Sequence, residues 1–420
     1  MRKLLFTGAT TVALIAVAGC EDIVGPIGDP VALSYALCEG AEDMPSWFAV
    51  QDGDGSWQRV SESASGSFDF EIASGRGGIA MYTPGGSDPG LYVVYATTEE
   101  LEANMPACNG SVRTVTGSVT GYATADNVAL AMGASDDVVF GSEPPPSFFS
   151  LPNVDATVTD LVAIRYRTSS GGNVAFESIP NNVVLRRNVT GTSTSLLDFS
   201  SATEAGAPLR REINITNSVS GEAISVRSSV ALNSTVALIA AYDTYSALVS
   251  GSVIVAFHGL PAARLNSDET NVTRVSATKS AGSGSETRYS SFVFSNPVDQ
   301  SLTLGPALGA VTVAGSSRPA ATYNVQASYD KLFDVIFSQG NGSTARQIEV
   351  LATSAYLDGA TTVTLAVPNL SGVAGFSSDW LLVPGVSSFW DFFAADADAS
   401  LLTGRPIAFQ GAQRASTFTP

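Results

Sequence analysis

The 420-residue chain holds a single histidine, His258, and three cysteines. One imidazole excludes any site built from several histidines. The sequence also lacks a G-x-S-x-G elbow, an H-E-x-x-H pair and a phosphate-binding loop. His258 precedes Gly259-Leu260-Pro261 and reads as structural or solvent-facing rather than as a general base. Lysine is confined to Lys3, Lys279 and Lys331, and charged residues make up only 14% of the chain, with a formal net charge of −18. A basic stripe able to track a phosphate backbone is therefore missing, and nucleic acid is not an expected partner. Past the N-terminus, no segment supplies the run of about 20 apolar residues that a membrane-spanning helix needs. The nearest, 230–260, is broken by Asn233, Asp243 and His258, and reads as strands around a turn at Asp243-Thr244-Tyr245.

The N-terminus has its own grammar. Arg2 and Lys3 precede an apolar run from Leu4 to Val17, and Val17-Ala18-Gly19-Cys20 closes it. A charged start, an apolar centre and small residues before a cleavage point are the marks of a secretory signal peptide. The Val17-Ala18-Gly19-Cys20 stretch resembles the lipobox of bacterial lipoproteins. The resemblance implies a diacylglyceryl group on the thiol of Cys20, which becomes the new N-terminus. Two or more acyl chains, at about 0.8 kcal/mol per buried methylene, hold a protein on a bilayer where one does not. It also implies a cell-envelope location. Glu21 rather than Asp after the cysteine leans toward the outer over the inner membrane.

With Cys20 accounted for by lipid, Cys38 and Cys108 remain. In an oxidising compartment a disulfide between them is the simplest arrangement, with two buried free thiols as the alternative. The bridge would close a loop of about 70 residues, worth on the order of 4 kcal/mol. The acidic balance fits the solubility of an exported chain.

Gly, Ser, Thr, Ala and Val dominate, which favours short strands and tight turns. The expected fold is all-β: tandem immunoglobulin-like or transthyretin-like β-sandwich domains with at most one or two short helices. An outer-membrane barrel is the rival, but its strands need about ten residues of sustained alternation. The expected organisation is a signal peptide over 1–19, a tether over 20–30, an N-terminal β domain over 31–108, a sandwich over 109–200, another over 205–320, and a C-terminal β domain over 321–420. The last is either separate from the third or continuous with it. In the first domain, Trp47–Gln51 and Trp57–Val60 flank Asp52-Gly53-Asp54-Gly55-Ser56, a hairpin signal. The stretch 97–105 predicts a short helix with a Thr cap and an acidic first turn. Gly117-Ser118-Val119-Thr120-Gly121, a paired strand, a Phe-rich strand through Leu151-Pro152-Asn153-Val154 and a final apolar strand follow in order. That order resembles the transthyretin-like, carboxypeptidase regulatory-like module, which implies a rigid spacer or binding unit without catalytic residues.

Candidate site residues are few. Asp52 and Asp54 are two carboxylates in a Gly-rich turn, a set that could hold Ca²⁺ or simply shape a hairpin; no other cofactor is indicated. Asp396 and Asp398 read as solvated. Near the C-terminus, Trp380 and Trp390 either stack on sugar rings as ligand-binding residues or fill a core. Phe389 and Trp390 are adjacent, so a strand would point them to opposite faces. The N-x-S/T triplets at Asn188 and Asn271 read as chance. The reading is a non-enzymatic, lipid-anchored envelope protein with a structural or binding role toward a protein or glycan partner. The alternatives are a carbohydrate-binding lipoprotein and a glycan-active hydrolase using paired carboxylates.

Overall fold

The computed structural model describes residues 30–36, 45–64, 66–84, 89–104, 112–133, 135–139, 145–166, 183–232, 235–244, 251–340, 345–397 and 408–420. Among them the chain is almost entirely β, as its composition predicts, with one α-helix, Thr98–Asn104. That helix starts on a capping box. Thr97 Oγ1 accepts from the Glu100 N–H at 3.2 Å, and the Thr97 N–H donates to Glu100 Oε2 at 2.9 Å.

The central feature is a 12-stranded sheet. From edge to edge its strands are Thr235–Thr244, Ala223–Leu232, Thr270–Ala281, Gly284–Phe294, Phe409–Phe418, Ser388–Ala395, Leu332–Gln339, Arg346–Thr353, Gly90–Thr97, Arg76–Thr83, Trp47–Asp52 and Gln58–Val60. All these pairings are antiparallel except Arg346–Thr353 with Gly90–Thr97. The sheet thus crosses the expected boundaries at 108/109 and 320/321. No local turn links the pairs that carry it across, and a parallel pair needs a long crossover by geometry. The strand Phe409–Phe418 joins the third and fourth expected segments, pairing with Gly284–Phe294 on one side and Ser388–Ala395 on the other.

Period-two patterning sets the two faces. Phe333, Val335, Phe337, Ile348, Val350 and Phe392 point one way and pack on Tyr323, Val363 and Leu365. The last three belong to a small sheet of Val311–Ala314, Ala320–Asn324 and Thr362–Ala366. At one end Val226 and Val275 of the large sheet pack on Ile213 and Phe257 of a three-stranded sheet, Gly251–Gly259, Leu209–Ser218 and Gln300–Thr303. At the other end Phe48, Val50 and Ile79 meet Leu33, Phe68 and Phe70 of the hairpin-like pair Val31–Ala36 and Ser67–Ile72. Strand Thr235–Thr244 runs through Asp243 and Thr244, which pair with Ser225 and Ile224. Asp243 and Thr244 of the expected turn are thus the last two residues of this strand, the next strand begins at Gly251, and Tyr245 lies outside the described residues.

Residues 112–206 form a sandwich of their own. Ser147–Asp155, Val112–Thr120 and Leu197–Asp198 make one sheet, and Ala205–Gly206, Val183–Arg186, Leu161–Tyr166, Asn127–Met132 and Ser135–Val139 the other. Val115, Leu130, Phe149, Leu151, Leu161 and Leu197 lie in one core between them. This sandwich docks on the edge of the large sheet. Val162, Ile164 and Val183 pack with Val230, Leu232 and Leu260. Thr235 Oγ1 donates to the Asp160 carbonyl and accepts from the Gly133 N–H, both at 2.8 Å. Arg187 holds Glu269 through both carboxylate oxygens.

Candidate functional site

Cys20, Cys38 and Cys108 lie outside the described residues, as does Asp398. The hairpin at Asp52 and Asp54 forms where expected, with Phe48, Ala49 and Val50 opposite Val60, Arg59 and Gln58. Its carboxylates are engaged internally. Asp52 Oδ1 accepts from the Ser74 N–H at 2.9 Å and the Ala73 N–H at 3.2 Å. Partial burial works against ionisation of Asp52, but the hydrogen bonds from Ser74 and Ala73 outweigh it and hold the carboxyl below its ordinary pKa. Asp54 pairs with Arg76 at 2.9 Å. Among the described residues no group of three His, Cys, Asp or Glu side chains is placed to hold a metal ion. Asp396 pairs with Lys331 at 2.6 Å on the surface.

Strand alternation separates the aromatic pair: Phe389 is 40% exposed and Trp390 only 7%. Trp390 fills core volume, so the sugar-stacking expectation is corrected for it. Trp380 ends a single 3₁₀ turn, Ser378–Trp380. Its ring stacks on Tyr82 at 4.2 Å and meets Trp47 and Phe376 edge-on at 5.5 and 5.4 Å. That ring ties the turn to the core. His258 is fully buried, opposite Arg210 in strand register, and burial with the Arg210 charge lowers its pKa to about 4.

The sequence reading missed a cavity of about 390 Å³ on the other face of the large sheet, lined by Arg274, Tyr289, Asp334, Ile336, Asp391, Phe393, Phe409 and Gln413. Register builds it. Asp391 and Glu349 both lie opposite Ile336, while Asp334 lies one pair along, opposite Phe393 and Leu351. Phe393 is opposite Gln413, which is opposite Thr287. Paired residues share a face, so three carboxylates gather on three adjacent strands. The Tyr289 hydroxyl donates to Gln413 Oε1, and the Gln413 amide donates to Asp391 Oδ2. Asp334 Oδ1 and Asp391 Oδ1 are shut from solvent and have no hydrogen-bond partner among the described residues.

The electrostatics follow from that enclosure. Burial pushes the Asp334 carboxyl well above its ordinary range, and the Glu349 and Asp391 charges push it further. Burial also raises Glu349 and Asp391, against the Gln413 hydrogen bond in the latter case. At the far end Arg274 lies over the Phe409 ring at 5.4 Å. It stands directly opposite Arg227, and neither guanidinium has an ion pair or hydrogen bond among the described residues. Tyr289 sits between the poles and packs edge-on against Phe393 at 5.9 Å. Burial and the Asp391 charge raise its pKa, while Arg274 and Arg227 oppose them. A signal for this site did exist in the sequence. Phe333-Asp334-Val335 and Trp390-Asp391-Phe392 each set one carboxylate inside an apolar run.

A second cavity of about 410 Å³ lies beside the docked sandwich, lined by residues that include Arg186, Arg187, Glu204 and Arg264. Its guanidinium groups already serve the docking. Arg186 pairs with Glu204 at 2.7 Å, Arg187 with Glu269, and Arg264 donates to the Glu204 carbonyl at 2.9 Å.

No family profile matches the sequence, and no curated protein matches it. A solved structure of a Ca²⁺-stabilised adhesin, which helps an Antarctic bacterium reach out and bind ice, aligns over 94% of this chain and 94% of its own. The identity is 12% and the TM-score 0.16, which establishes no common fold.

Proposed function

We propose that the chain is a lipid-anchored protein of the cell envelope, outer membrane favoured, with a structural or binding role. The observation that carries the anchor is the run from Arg2 to Cys20, with its basic start, apolar centre and terminal Val-Ala-Gly-Cys. The binding role is supported by the cavity around Asp334 and Asp391, which encloses two buried acceptor oxygens with no donor among the described residues. The separate core of the 112–206 sandwich supports reading that segment as a spacer module.

The glycan-hydrolase alternative gains two carboxylates in one cavity. A glycosidase pair divides into a protonated acid and an ionised partner, with environments that move the two apart. Here burial raises Asp334 well above its ordinary range, and raises Asp391 against the Gln413 hydrogen bond. Metabolic labelling with a clickable fatty acid tests the anchor: the wild-type chain takes the label and Cys20→Ser does not. Label persisting on Cys20→Ser would overturn the assignment.

A further inference from the structure

The cavity on the large sheet leaves polar groups unmet at both ends. At one end the buried Oδ1 atoms of Asp334 and Asp391 have no donor among the described residues. At the other, Arg274 faces Arg227 across the strand pair. Orphaned buried acceptors and like charges directly opposite on neighbouring strands both cost stability. Phe393, Phe409 and Tyr289 line the space between. A metal ion would answer the acidic end only, and an anion the basic end only.

We propose that this cavity binds a small zwitterion, its ammonium group received by Asp334 and Asp391 and its carboxylate by Arg274. The inference rests on the binding half of the reading above and is independent of the anchor. Three strand steps of about 4.8 Å separate the strand of Asp391 from that of Arg274, or roughly 14 Å. Arg274 reaches back over Phe409, which lies two strands nearer to Asp391. Asp391 lies opposite Ala415, six residues along that strand from Phe409, so the two poles are separated along the strands as well as across them, on one shared cavity. The ligand class is thus a short peptide with both termini free. Gln413 fixes the acidic end, since it holds Asp391 Oδ2 while Tyr289 holds Gln413.

The test is isothermal titration of the full-length protein in detergent micelles with trialanine, N-acetyl-trialanine, trialanine amide and calcium chloride. Trialanine is expected to bind, and each blocked peptide to bind at least tenfold more weakly. Asp334→Asn and Arg274→Gln should each weaken trialanine at least tenfold, while the remote Phe148→Ser leaves it unchanged. A wild-type-like circular dichroism spectrum for Asp334→Asn and Asp391→Asn separates loss of binding from loss of fold. No trialanine binding to the wild type, or equal affinity for free and blocked peptides, overturns the proposal. So does calcium binding that Asp334→Asn abolishes, which would make the acidic end a cation site. None of these results alters the fatty-acid label on Cys20, so failure here is distinct from failure of the anchor.

Discussion

At the scale of single residues, His258 is the clearest reporter of enclosure. Its ordinary pKa of 6.5 falls to about 4 in the fold, through burial first and the Arg210 charge second. The unfolded chain therefore takes up the proton first as pH drops. The stabilisation is present above about pH 6.5 and is lost as pH falls toward 4, in total by ~3 kcal/mol. Urea titrations at pH 7.5 and 4.5 should show wild type losing about that much more stability than His258→Gln; parallel profiles would refute the assignment. The structural reading of His258 was legible because one histidine beside a Gly-Leu-Pro turn has no partners for chemistry. Phe389 and Trp390 were legible as a pair facing opposite ways, but which faced inward depends on the sheet packed against Trp390. Asp334 and Asp391 each stand out inside an apolar run, but among 39 acidic residues nothing local says that the two share a cavity.

At the scale of elements, strand existence was readable and strand partnership was not. Leu332–Gln339 and Arg346–Thr353 show in sequence as alternating or apolar runs. They pair with each other, but their outer neighbours are Ser388–Ala395 and Gly90–Thr97, and period-two patterning carries no address for either. Local devices were better signposted, as the Thr97 cap and the Asp52–Gly55 hairpin show. Gly284 illustrates what pairing demands of one position. It closes the Thr270–Ala281 and Gly284–Phe294 hairpin opposite Ala281. A Cβ there would lie 1.7 Å from the Ala415 carbonyl oxygen on the next strand. Gly284→Ala must push the two strands apart, and a loss of about 3 kcal/mol is expected in equilibrium denaturation. An unchanged midpoint would mean that the hairpin end does not press on Phe409–Phe418.

At the scale of the whole molecule, the chain divides into one self-contained unit and one assembled from distant parts. The 112–206 sandwich has its own core, and its contacts with the large sheet are a docking surface. Excised, it should fold cooperatively, with dispersed amide resonances and a single thermal transition. A chain beginning at Val112 should not keep the large sheet intact, since removal of Gly90–Thr97 bares the long strand Arg346–Thr353 to edge-to-edge association. Aggregation of that truncated chain, beside a soluble excised sandwich, is the expected pair of results on size-exclusion chromatography.

The place of Phe409–Phe418 has a consequence for timing. It sits in the interior of the sheet, between strands that precede it by over a hundred residues on one side and by about twenty on the other. Until it arrives, the sheet exists as two halves with facing open edges. Non-local pairings of this kind are slow to form. A chain threaded N-terminus first through a narrow export channel would thus stay unlocked until this strand had crossed, and then close like a zip fastened from the middle.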